Sequence, residues 1–273
     1  MMRRIRWAMV LAAAVGLTIP VGIRAETTPP GDLTITILYD NYEYAEGLQT
    51  AWGFSALVEI GDHTILFDTG GDGPTLLSNG AALGVEWSDV EVIVLSHEHG
   101  DHVGGLQALL DTGITPTVYA PASFPATVRQ HIRARTDLVQ VTDAVEILPG
   151  VHSTGEIIAL PIEQSLVLET TAGLVVITGC AHPGIVNIVE RVRTVVEDDI
   201  CLVVGGFHLA NRTQGEVRPI AEELLALGVQ HSCPTHCTGD GAIAVFEEVF
   251  GDAFMQGGVG RVIVLEDLTN AAD

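Results

Sequence analysis

Three imidazoles and two carboxylates fall within the six residues His97-Glu98-His99-Gly100-Asp101-His102, and Val103-Gly104-Gly105 follow at once. His97 and His99 alternate with Glu98, so in an extended loop both rings point the same way. Asp101 and His102 stand one short turn further on, within reach of a second ion. Imidazole nitrogen combined with carboxylate oxygen suits zinc, with iron and manganese as alternatives. The spacing His-x-His-x-Asp-His is far more specific than an isolated histidine pair. The competing reading is a solvated polar loop.

Three more histidines arrive in the same manner. The apolar run Val90 to Leu95 leads into the cluster, Leu174 to Thr178 leads into Gly179-Cys180-Ala181-His182, Cys201 to Val204 into Gly205-Gly206-Phe207-His208, and Val229 to Ser232 into Pro234-Thr235-His236. Side chains at strand ends converge readily, because there the backbone leaves the core. His63, His152 and His231 lack that placement or lack supporting motif residues.

The elements that must position these loops alternate strand and helix. Leu33 to Leu38 has the twofold period of a strand, and Phe54 to Ile60 and Thr64 to Phe67 form a hairpin about Gly61-Asp62. Helices are expected over Pro74–Leu83, Gly104–Leu110, Pro125–Arg135, Ile185–Val196, Glu216–Leu227 and about Ala242–Phe250. A last strand is expected at Val262–Leu265. The class is α/β. The third strand ends in Asp68-Thr69-Gly70, and a carboxylate there is costly to bury unless hydrogen-bonded. Tyr39-Asp40-Asn41-Tyr42 is a loop whose polar residues either reach the site or close a local turn.

Residues 1–25 read as a signal peptide, with Arg3, Arg4 and Arg6 ahead of an apolar run from Trp7 to Ile23 and a small residue at Ala25. The runner-up is an uncleaved membrane anchor. Residues 26–32, rich in Thr and Pro, read as a linker into one folded domain over 33–273. The implied location is periplasmic or extracellular, with membrane contact only if the segment stays attached. The formal charge is −23 and all twelve basic residues are arginine, a balance that disfavours nucleic acid and leaves a small-molecule substrate as the expected partner. Four cysteines in an exported chain raise the question of disulfides, with Cys233–Cys237 the pair to examine.

The cluster resembles the signature of the metallo-β-lactamase superfamily. More narrowly, Leu66-Phe67-Asp68-Thr69-Gly70, Thr178-Gly179-Cys180-Ala181-His182-Pro183-Gly184-Ile185, Gly205-Gly206-Phe207-His208-Leu209 and Pro234-Thr235-His236-Cys237 resemble the branch containing dihydropterin-ribofuranosylaminobenzene-phosphate synthase. The likeness covers nearly all of the chain beyond residue 32. It implies a four-layer αββα sandwich and a dinuclear hydrolase in which a metal-bound hydroxide attacks an ester or phosphoester. His97, His99 and a later histidine would hold one metal, and Asp101, His102 and a final histidine, His236, the other. Asp68 would brace the metal loop; a helix cap or turn is the other reading.

The chain departs from the superfamily pattern where many relatives carry Thr-Gly-Asp, since Thr178-Gly179-Cys180 stands there. Two assignments stay open. In one, His182 is the third imidazole and Cys180 or His208 replaces the bridging carboxylate. In the other, Cys180 bridges and His152 or Glu163 supplies the third ligand. Cys180 as an inert buried thiol is a further possibility. Asp101 is a candidate to orient the nucleophile, and His208 to protonate a leaving group or bind an oxyanion. A lactonase or β-lactamase, and a non-catalytic metal- or ligand-binding protein, are the competing functions.

Overall fold

The structure, a computed structural model, describes residues 32–269. The export segment and nearly all of the linker expected at the N-terminus lie outside these residues. The first half supplies strands β1 (Leu33–Tyr39), β2 (Ser55–Ile60) and β3 (His63–Phe67), helix α1 (Gly73–Ala82) and β4 (Val92–Val94). The short helices α2 (Gly100–Val103) and α3 (Leu106–Leu110) follow, then β5 (Thr117–Pro121), α4 (Ala126–Arg133) and β6 (Leu138–Val141). The second half runs through β7 (Val145–Leu148), β8 (Val151–Ser153), β9 (Leu166–Thr170), β10 (Gly173–Thr178) and α5 (Ile185–Val195). It continues as β11 (Ile200–Gly206), α6 (Gln214–Ala226), β12 (His231–Thr235) and α7 (Asp240–Phe250), and closes with β13 (Val262–Val264) and α8 (Leu265–Thr269).

Two sheets result. One has the order β13-β1-β2-β3-β4-β5-β6 and the other β12-β11-β10-β9-β8-β7. Strand alternation decides which side chains meet. Ile35, Ile37, Val58, Ile65 and Phe67 of the first sheet pack against Leu166, Leu168, Val175, Ile177 and Val204 of the second, in one core between the sheets. The opposite faces carry Leu57, Leu66, Ile93 and Val118, covered with Leu76, Leu106 and Leu109 of α1 and α3, and Val167, Val176 and Val203, covered by Ile188, Val192, Val217 and Phe246 of α5, α6 and α7. The order of layers is therefore helix, sheet, sheet, helix, as the resemblance implied.

The active ends of the sheets follow from pairing direction. β3, β4, β5 and β6 run parallel in one sheet, and β10, β11 and β12 run parallel in the other. Parallel strands present all their C-terminal ends at one edge, where the following loops can share a site. The helix expected from Gly104 in fact begins at Gly100, so Asp101 and His102 ride on its first turn; it breaks after Val103 and resumes at Leu106. Gly104 and Gly105 let this segment lie against the loop after β3. A Cβ on either would come within 2.1 Å of a backbone oxygen, that of Gly71 or of Thr69. The remaining differences from expectation are of one to three residues at element ends, the largest at β12, which runs three residues beyond the expected Ser232; β4 is shorter than the apolar run suggests because Val90 and Leu95 lie outside the ladder.

Candidate metal centre

Five strand-end loops meet in one cleft: Asp68 after β3, His97 to His102 after β4, Cys180 and His182 after β10, His208 after β11 and His236 after β12. Asp68, Ala181, His208 and His236 have φ of 54°, 56°, 53° and 49° and are, among the described residues, the non-glycine residues in the left-handed region. Each such conformation costs on the order of 1–3 kcal/mol and persists where packing over-determines it. All four flank this cleft.

The histidines are anchored alike. Asp68, fully buried, accepts at Oδ1 from the Ser96 backbone N–H (2.7 Å) and at Oδ2 from the Ser96 hydroxyl (2.6 Å) and His102 Nδ1 (2.7 Å). The Ser96 hydroxyl in turn accepts from His97 Nδ1 at 2.9 Å. His182 Nδ1 donates to Glu163 Oε2 at 2.9 Å, and His236 Nδ1 donates to Asn41 Oδ1 at 2.9 Å. An acceptor on each Nδ1 fixes the tautomer that leaves Nε2 with a free lone pair, the arrangement of a metal-ligating imidazole. His97 Nε2 and His236 Nε2 are buried without a hydrogen-bond partner. Such orphans are uncommon unless something absent from the protein completes them.

The free nitrogens face acidic and sulfur partners. Asp101 Oδ2 lies 3.4 Å from His236 Nε2 and 3.7 Å from His102 Nε2, and His102 Nε2 lies 3.2 Å from Cys180 Sγ. One potential ligand atom each from Asp101, His102, Cys180 and His236 fall within 4.8 Å of one another, and so do those of His97, Cys180 and His182. His99 is exposed and joins neither set, although its ring centroid is 4.8 Å from that of His97 and 4.9 Å from that of His182. Cys180 belongs to both sets and so occupies the middle of the cleft. The donors fit divalent cations of the zinc type: neutral imidazole, carboxylate and thiol.

Electrostatics favour the coordinating forms of His97, His102 and Asp101; at His236 burial lowers the ring but Asp101 outweighs it and raises it, and Cys237 together with burial raises the Cys180 thiol. Burial pushes His97 and His102 down to about 3, so both rings are neutral at physiological pH, while burial pushes Asp68 up to about 7. Burial would also raise Asp101, but its contact with His236 and the nearness of His102 outweigh it and hold the carboxyl well below the usual range. Glu163 behaves likewise. Burial opposes its charge, yet His182, His97 and the backbone donors keep it ionised.

Of the two assignments left open by sequence, the geometry brings His182, not His152, to the cleft. His152 spends Nε2 on Glu169 at 2.6 Å between β8 and β9. Glu163 is within the site but turned away from a ligand's part. Its two oxygens accept from Thr178 Oγ1, the backbone N–H groups of Cys180, Ala181 and His182, and His182 Nδ1. His208 lies at the rim, exposed, its ring centroid 4.5 Å from that of His182. The Cys233–Cys237 bridge is not formed: all four cysteines are free and buried, and Cys237 faces Cys180 instead. Sequence reasoning assigned no role to Ser96 or to Trp52, whose ring lies tilted with its centroid 4.8 Å from that of His236 while 57% of the residue stays exposed.

A helix-flanked pair of sheets with imidazole, carboxylate and thiol donors gathered at their parallel strand ends defines a candidate metal-binding αββα architecture. Residues 53–209 match the metallo-beta-lactamase superfamily, and the chain belongs to that superfamily. It is 26% identical to the 7,8-dihydropterin-6-methyl-4-(beta-D-ribofuranosyl)-aminobenzene-5'-phosphate synthase of Methanocaldococcus jannaschii, over 84% of this chain and 95% of that protein. It is 28% identical to protein MJ0448 of the same organism, over 84% of this chain and 99% of the relative. Among solved structures it is similar to Tm1679, described as a metal-dependent hydrolase of the beta-lactamase superfamily, with 27% identity, a TM-score of 0.70 and coverage of 85% and 98% of the two chains.

Proposed function

We propose that this protein is a dinuclear metal-dependent hydrolase of small ester or phosphoester substrates. The observation that carries the reading is the set of four buried or half-buried imidazoles, each tied down through Nδ1, with two Nε2 atoms left unpartnered. His97, His99 and His182 would hold one ion, and Asp101, His102 and His236 the other, with Cys180 between them in the place of the usual bridging carboxylate. Bound there, two divalent ions, zinc or else iron or manganese, would supply an activated water and Lewis acidity towards the bond under attack.

The chain's own groups do the rest. Asp101, held ionised, orients the attacking water by accepting its proton in a hydrogen bond. Asp68 and Glu163 keep the imidazoles in their coordinating tautomer. His208, half out in solvent beside His182, donates a proton to the leaving group or a hydrogen bond to the developing oxyanion. A cavity of about 400 Å³ opens beside His182 and His208, with Ile185, Phe207, Leu209 and Ile220 as apolar wall and Arg212 at its edge. Its size suits the non-reacting part of a small molecule. The likeness to Tm1679, a metal-dependent hydrolase of the beta-lactamase superfamily, supports hydrolysis. The synthase activity named for the methanogen relative makes a bond-forming reaction the second reading. We propose export as well, on the N-terminal pattern.

The test is metal content with a substrate panel on the purified full chain. The parent should carry at least two ions and hydrolyse a phosphoester or carboxylic ester more readily than a lactone or β-lactam. His99→Ala should lose bound metal and activity together. A parent that binds metal yet turns over nothing would favour a binding protein, and full activity in His99→Ala would sink the assignment.

A further inference from the structure

The two-ion reading leaves Cys237 with no task, although it is buried to 4% exposure in the wall of the cleft. Its thiol lies beside Cys180, also free and buried, with Sγ 3.6 Å from the Cys180 carbonyl oxygen. The Sγ atoms of Cys180 and Cys237 and a ring nitrogen of His208 lie within 4.8 Å of one another. These donors come from the loops after three adjacent parallel strands, β10, β11 and β12. Two further details show how closely the backbone is fitted around them. His208 sits at a φ of 53°, and a Cβ on Gly206 would come within 2.7 Å of Cys237 Sγ.

We infer that Cys180, Cys237 and His208 form a third, sulfur-rich cation position, which shares Cys180 with the imidazole and carboxylate centre. Two thiolates and one imidazole are a recurrent donor set for zinc with a fourth position open, and soft donors select thiophilic cations over magnesium, calcium or manganese. His208 is the exposed member, so the open position faces the cavity that adjoins His182. An ion there would hold Cys237 as a thiolate beside the Cys180 thiolate already shared with the other centre, releasing one proton to solvent; no electron transfer is involved. The alternative is a buried thiol pair held only by hydrogen bonds and packing.

Cadmium distinguishes the two. The full chain, stripped of metal and kept reduced, is titrated with Cd²⁺ while native mass spectrometry counts bound ions and ultraviolet absorption follows sulfur-to-cadmium charge transfer. The parent should bind three Cd²⁺. Cys237→Ser should bind two, with a weaker charge-transfer band, because it leaves every donor of the other two positions in place. Two ions in the parent, or an unchanged count and band in Cys237→Ser, would overturn the inference. Should Cys237→Ser not fold, ¹¹³Cd resonance of the unaltered chain decides: a signal in the range of two-sulfur coordination is expected, and its absence refutes the site. His102→Ala separates this result from the two-ion reading, since it should remove an ion while leaving the two-sulfur signal.

Discussion

Replacing Glu163 by Gln changes one atom's worth of chemistry at the best-satisfied carboxylate in the cleft. Oε1 accepts from Cys180 N–H and Ala181 N–H, both at 2.9 Å, and from Thr178 Oγ1 at 3.2 Å; Oε2 accepts from His182 N–H and His182 Nδ1, both at 2.9 Å. A glutamine has a single acceptor oxygen. Placed where Oε1 stands, it keeps three bonds and sets its NH₂ against two donors of His182. The backbone donor cannot respond. The ring can, by moving its proton from Nδ1 to Nε2, which removes the lone pair that would bind a cation. Hydrogen bonds to charged groups are worth about 1.5–3 kcal/mol each, and a buried donor left facing a donor costs a similar amount. The metal-free variant should therefore lose roughly 3 kcal/mol of stability, read as a fall in the urea midpoint at unchanged slope. Its zinc affinity, measured by competition with a chromophoric chelator, should drop about 10–100-fold, as for other partners that orient a metal-bound histidine. A variant with the parent's midpoint and zinc affinity would refute the claim that Glu163 sets the tautomer of His182.

Two further outcomes are expected. In the metal-free chain, His97 and His102 are held at about 3 by burial, below the 6.5 of an exposed histidine. A depressed histidine contributes stability above the unfolded value that is lost as the pH falls from 6.5 towards 3. Asp68, raised to about 7, and Asp40, raised to about 6, both by burial, work the other way, their contributions being lost as the pH rises from 3.8 towards those values, so the histidines outweigh them only slightly and the urea midpoint should fall a little between pH 6.5 and 4. A midpoint that rises on acidification would contradict the assignment. Gly179→Ala would set a Cβ 2.2 Å from Ser96 Oγ and 3.0 Å from Asp68 Oδ2, and overpacking of this kind costs about 1–3 kcal/mol. Thermal unfolding should register that loss, and zinc affinity should fall with it because Ser96 links Asp68 to His97; an alanine variant with parental Tm and affinity would exclude so close a contact.

Much of the site can be read along the chain because its donors sit in short motifs directly after apolar strands. The residue types of His97, His99, Asp101 and His102 name the chemistry, and the repeated strand-then-histidine pattern at His182, His208 and His236 announces that the loops converge. The α/β class follows from the alternation of strand and helix, whereas the four-layer order was implied by the family resemblance alone. What supports the ligands is not local. Asn41 meets His236 across 195 positions, and Ser96 earns its part only because His97 and Asp68 flank it in space. Glu163, 19 residues before His182, looked like a ligand by type and is instead a buried acceptor for five donors.

The amino-acid sequence by itself thus determined which atoms are available to a cation and that they gather at the C-terminal ends of the strands. Only the tertiary structure decided which nitrogen of each histidine is free, that Cys180 stands in the middle of the cleft, and that Cys237 faces it and not Cys233. The reason is physical. A ligand's identity belongs to one residue, but its tautomer, charge and direction belong to the partner packed against it, and sheet register chooses that partner from far along the chain.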